Sequence, residues 1–83
     1  MNAYTLLGQG QYAEANREFE KILSLVSDRK EAARARWGMA QAREGQGDLA
    51  AALSLYEAIR EDYEDPEFIA GKVERLRKRL GTR

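Results

Sequence analysis

Apolar residues recur along this chain at steps of three and four, in separate runs divided by polar or glycine-rich breaks. Over residues 11–26 the run is Tyr12, Ala15, Phe19, Ile22, Leu23 and Val26. That spacing makes one apolar stripe on a helix. Residues 29–44 form an Ala-rich helix whose large apolar groups are Trp37 and Met39. Residues 48–63 repeat the stripe with Leu49, Ala52, Leu53, Tyr56, Ile59 and Tyr63. Residues 67–80 carry Ile69, Val73, Leu76 and Leu80 as a narrow seam in a helix otherwise rich in Lys, Arg and Glu. Residues 2–8 allow about two turns, too few to persist alone, so they must lean on the helix at 11–26.

The breaks carry their own signals. Ser27 or Asp28 can cap the helix that follows, and Asp48 is a good N-cap for the next. Gly45 and Gly47 end the helix at 29–44, because Gly accepts the left-handed conformation that a helix C-terminus often needs. Pro66 suits a first helical turn, and Gly81 closes the last helix. The reading is an all-α antiparallel array of helix-turn-helix units, five helices with the first one short.

One block occurs twice. Gly8-Gln9-Gly10 returns 37 residues later as Gly45-Gln46-Gly47. The pattern then continues in phase: Tyr12 with Leu49, Ala15 with Ala52, Phe19 with Tyr56, Ile22 with Ile59. A fixed period of this size marks stacked helical repeats. Such arrays are usually surfaces for binding, with a charged outer helix at the end of the stack. The chain therefore divides as a single domain over 1–83, with a partial repeat at 1–26, a second repeat at 29–63 and a capping helix at 67–80.

These residues resemble the tetratricopeptide repeat family, whose motif runs W-x2-L-G-x2-Y, then A-x3-F, then P, over about 34 residues. Gly10, Tyr12, Ala15, Phe19 and Ile22 fit the turn and second helix of one repeat. Gly47, Asp48, Leu49, Ala52, Tyr56 and Ile59 fit the next. The first helix of the motif departs from the pattern. Arg36 holds the Trp position with Trp37 one step on, Met39 replaces Leu, Ala40 replaces Gly, and Arg43 replaces Tyr. The resemblance implies that Ala15 and Ala52 permit a close helix crossing, with Phe19 and Tyr56 filling the gap beside them. It also implies a groove lined by the first helix of each repeat, which takes a protein or peptide. The groove positions would be Arg34, Trp37, Gln41 and Glu44, with Tyr4 and Leu7 as counterparts in the short first helix. The family's Lys and Asn carboxylate clamp is absent, because Trp37 and Gln41 occupy its places.

Composition narrows the chemistry. With no Cys and no His, thiolate metal sites, disulfides and the usual general base are all missing. No nucleophile has a candidate base beside it, and Gly8-Gln9-Gly10-Gln11-Tyr12 lacks the Lys-Ser/Thr of a phosphate loop. The expectation is a non-enzyme with no cofactor. Fourteen basic residues balance fourteen acidic ones, which makes nucleic acid an improbable partner on bulk charge. No apolar run approaches the ~20 residues of a membrane span, and no basic segment with an apolar core opens the chain. The expectation is a soluble chain, cytoplasmic by default.

Other readings of the same residues stay open. Trp37 is either a groove anchor or a core Trp displaced by one position. Arg34, Arg36 and Arg43 read as one basic face, solvated or poised for a carboxylate. Lys72, Arg75, Arg77, Lys78, Arg79 and Arg83 follow an acidic stretch of Glu57, Glu61, Asp62, Glu64, Asp65 and Glu67. The helix dipole accounts for part of that polarity, and weak binding to an anionic surface is the alternative. Self-assembly into a homo-oligomer is a further expectation, because the short first helix leaves the apolar edge of 11–26 partly uncovered.

Overall fold

The computed structural model describes residues 2–81; Arg83 of the basic group lies outside that range. Five helices follow one another: α1 Ala3–Gly8, α2 Tyr12–Leu25, α3 Arg29–Gly45, α4 Leu49–Ile59 and α5 Pro66–Leu80. Among the described residues there is no strand. Each helix packs on the next, and α1 also touches α3.

The period survives in three dimensions. Helices α2 and α4 begin 37 residues apart, at Tyr12 and Leu49, and so do α3 and α5, at Arg29 and Pro66. The two turns are the same hydrogen-bonded structure. The Gln11 N–H donates to the Leu6 carbonyl at 2.9 Å, and the Asp48 N–H donates to the Arg43 carbonyl at 2.9 Å. The Gly10 N–H reaches Leu7 at 3.1 Å, and the Gly47 N–H reaches Glu44 at 3.0 Å. Both turns need φ near +80°, with Gly10 at 77° and Gly47 at 80°. A side chain there would be strained.

Gly45 corrects one expectation. It is the last residue of α3 and stays out of the left-handed region. Its small size serves another end: a Cβ there would collide with the Tyr12 ring. Gly38 plays the same part for Phe19, whose ring tip occupies the space a Cβ would take on α3.

The caps fall where side-chain chemistry places them. Asp28 accepts from the Lys30 N–H at 3.0 Å, Asp48 from Ala51 at 3.1 Å and Asp65 from Phe68 at 3.1 Å. Pro66 is the first residue of α5, and Gly81 at φ 72° closes it. The short α1 is capped by Asn2, which accepts from the Thr5 N–H at 2.8 Å, and is held by burial of Ala3 and Leu6.

Helix α4 ends earlier than its pattern predicts. It stops at Ile59, and residues 60–64 are turns and bends. The Asp62 and Tyr63 N–H groups both fold back onto the Ile59 carbonyl, at 3.1 and 2.9 Å. This tightening brings the Tyr63 ring onto Trp37, with centroids 6.1 Å apart and planes 23° from parallel.

Two apolar cores result. The smaller joins α1, α2 and α3 around Ala15 and Phe19; the larger joins α3, α4 and α5 around Ala52, Tyr56 and Ile69. Phe19 is 1% exposed and Tyr56 is fully buried. The apolar stripe of α2 is not buried along its whole length. Helix α1 covers only its first half, so Ile22 remains 41% exposed and Leu25 85% exposed.

Candidate functional site

Helix α1 contacts α3 as well as α2, and a hollow lies in the trough between α1 and α3. It measures about 530 Å³. Its walls include Tyr4 and Leu7 from α1, Gln41 and Glu44 from α3, the Tyr12 ring, and Lys72 reaching in from α5. Four of the six groove residues expected from the sequence thus line one cavity. Lys72 was not expected there, because nothing local in its own helix announces the contact.

The floor of this cavity is polar and internally matched. The Tyr56 hydroxyl donates to Glu44 Oε1 at 2.9 Å. Lys72 Nζ lies 3.2 Å from the same oxygen and 5.6 Å from the centre of the Tyr56 ring. Glu44 therefore serves a neutral donor and a cation together, and its charge is balanced before any ligand arrives. Burial, and then the hydrogen bond to Glu44, push the Tyr56 phenol far above its ordinary value near 10. The neutral phenol is the form the fold requires. Its contribution to stability is complete below pH 10 and drains away as pH climbs above that value. Denaturant melts from about pH 9 to about pH 11 should show that loss, and Tyr56→Phe should fall less steeply over the same range.

The other two expected residues stand beside the trough. Trp37 is half-buried in an aromatic row. Tyr4 meets Phe19 edge-on at 5.1 Å and Trp37 at 6.3 Å, and Trp37 stacks on Tyr63. Trp37 also packs against the larger core, so it joins core and surface rather than serving one alone. Tyr4 is 50% exposed, which keeps the end of the row open to contact. Arg34 is exposed and pairs with Glu64 at 3.0 Å, thirty residues away. Hydrogen bonding and charge from Glu64 raise its pKa further.

Arg34, Arg36 and Arg43 do not form one face. At about 100° per residue, Arg34 lies roughly opposite the other two. Arg34 turns to Glu64, while Arg43 donates to the Gln46 side chain at 3.2 Å. No single carboxylate can be clasped by all three.

A second, more apolar hollow of about 310 Å³ lies at the uncovered end of α2. Tyr4, Phe19, Ile22, Val26 and Ala35 line it, with Glu31 and Arg34 at its rim. Asn16, which the apolar pattern did not mark, is buried in α2 and donates to Glu20 at 3.0 Å.

Among the described residues no group of three or more acidic side chains is placed to hold a metal ion. No described helix is long and apolar enough to cross a membrane. No curated protein and no solved structure matches the chain. A tetratricopeptide repeat model matches residues 6–72, which is most of the sequence, and the chain belongs to that family.

Proposed function

We propose that this chain is a protein-interaction module that takes an extended or helical segment of another protein in the trough between α1 and α3. Tetratricopeptide repeat domains generally mediate protein–protein contacts and are typically non-catalytic. The observation that carries the finer reading is the convergence of Tyr4, Leu7, Gln41 and Glu44 on one open cavity. The walls offer apolar and aromatic contact. The charges on the floor are already paired, so the ligand is selected by apolar anchors and backbone hydrogen bonds more than by charge.

The single Trp makes the test direct, since Trp37 stands beside the cavity with its ring 6.3 Å from that of Tyr4, which lines it. A ligand found by peptide-array screening should change Trp emission and shift the amide signals of residues 4–8 and 37–44. Leu7→Glu or Gln41→Arg should weaken it by about tenfold or more, with the far-ultraviolet spectrum unchanged. A ligand that perturbs only residues 75–80, leaving Trp37 and Arg34 untouched, removes the trough from the reading.

Self-association is a second reading, supported by large apolar side chains left in water. Leu25 and Ile22 on α2 and Phe68 on α5 are the clearest instances.

A further inference from the structure

Most glycines of this chain have a reason inside the fold. Gly10, Gly47 and Gly81 take positive φ, and Gly38 and Gly45 receive an aromatic ring. Gly8, at the end of α1, and Gly71 have neither reason. Gly71 is the one that falls inside a long helix. It stands in the middle of α5, outside the left-handed region, and a Cβ there would meet nothing within 4 Å. Glycine in a helix interior weakens the helix relative to alanine. A backbone bared toward solvent is what close approach by a second helix uses.

The same face of α5 is otherwise marked. Ile69, Val73 and Leu76 are buried against α4. Turned away from them, at helical spacing, lie Phe68, Gly71, Arg75, Lys78 and Arg79. Phe68 is 44% exposed. Lys72 and Arg77 have acids in their own chain, Glu44 and Glu57. Arg75, Lys78 and Arg79 have none among the described residues, and neither Glu61, Asp62 nor Glu67 has a cation.

Along the sequence, acids therefore gather at the start of α5, with Arg60 the one cation in residues 60–67. Cations gather toward its end, with Glu74 the one acid in residues 72–79. Arg34 reaches Glu64, Glu57 reaches Arg77 and Glu44 reaches Lys72 from other helices, but the rest have no such partner among the described residues. From Glu67 to Arg75–Arg79 is about 12–18 Å along the axis. That exceeds the ~8 Å screening length at physiological salt. Glu67 cannot neutralise Arg75, Lys78 or Arg79 of its own copy across that span. A second α5 laid parallel would set like charges together. Laid antiparallel about a two-fold axis, it sets acids over cations at both ends, which is the self-complementarity such an axis demands.

We propose that the chain pairs with a second copy of itself through the outer face of α5, antiparallel, with Gly71 near the crossing. Phe68 of each copy lies along the stems of Arg75 and Arg79 of the other. The inference rests on the self-association reading and is independent of the trough between α1 and α3. The uncovered edge at Ile22 and Leu25 is also apolar, but no charge pattern beside it selects an occupant.

Sedimentation equilibrium of the full chain tests this. A contact along one helix is small, so dimers should appear at roughly 0.01–1 mM chain. Raising salt from about 0.05 to about 0.5 M should weaken the dimer by about tenfold. Arg75→Glu with Arg79→Glu should abolish it, as should Glu61→Lys with Glu67→Lys, and mixing those two variants should restore a dimer containing one of each. Gly71→Leu should also abolish it while helicity by circular dichroism is kept. A strict monomer at about 3 mM overturns self-association as a whole. A dimer that ignores the α5 substitutions and yields to Leu25→Glu overturns the siting alone. So does a monomer that uses Arg75, Lys78 and Arg79 to bind anionic vesicles.

Discussion

Tyr56→Ala should remove a large share of the chain's stability, about 3–5 kcal/mol. A domain of this size has about 4–12 kcal/mol of stability in all. Removing a large aromatic from a core costs about 3–5 kcal/mol, and the loss grows with the cavity left behind. Tyr56 is fully buried where α3, α4 and α5 meet. Few neighbours can collapse into its place. The same cut removes the hydroxyl that donates to Glu44 and the ring beneath Lys72. Phe19→Ala, at the equivalent position of the first repeat, should cost less. Phe19 borders the open hollow at the end of α2, and Tyr4 lies 5.1 Å away on a half-exposed side chain that can move inward. Urea titrations of the two variants check both the size and the order. Equal losses at the two sites would mean that the first repeat is as tightly enclosed as the second.

The architecture was legible because its signals are local. The stripe of Tyr12, Ala15 and Phe19, its copy at Leu49, Ala52 and Tyr56, and the caps at Asp28, Asp48 and Pro66 each declare themselves within a few residues. What escaped depends on the third dimension. The end of α4 at Ile59 is invisible in residues 60–63, whose pattern continues the helix; Tyr63 leaves it to stack on Trp37, which lies far back in the chain. Lys72 joins the cavity only because α5 lies across α4, within reach of Glu44. Arg34 and Glu64 are thirty residues apart and share no local pattern. Family register found one small residue of the first helix and missed another. Ala40 is fully buried in one core with Ala52, and Gly38, which the register did not mark, receives the ring of Phe19.

Gly38→Ala is the change on which helix propensity and packing disagree. By propensity alone, alanine in the middle of α3 should stabilise by about 0.8–1 kcal/mol. The new methyl, however, would stand well inside contact distance of Phe19 Cζ, Cε1 and Cε2. Phe19 is 1% exposed and meets the Tyr4 ring edge-on, so its ring can yield only by turning toward the hollow at the end of α2 and giving up that contact, or by a shift of α2 as a body. Overpacking of this kind costs about 1–3 kcal/mol, which exceeds the propensity gain. The expected result is net destabilisation, measured by urea midpoint at unchanged m-value. Gly45→Ala supplies the comparison. Its methyl would meet the Tyr12 ring in the same way, but Tyr12 is only half-buried beside the open trough and can turn outward. That variant should be nearly neutral. In a double-mutant cycle, Phe19→Leu should recover part of the loss caused by Gly38→Ala, because the shorter side chain vacates the space the methyl needs. If Gly38→Ala stabilises the chain instead, the ring does not rest on α3, and the close approach of α2 to α3 that shapes both hollows is wrong.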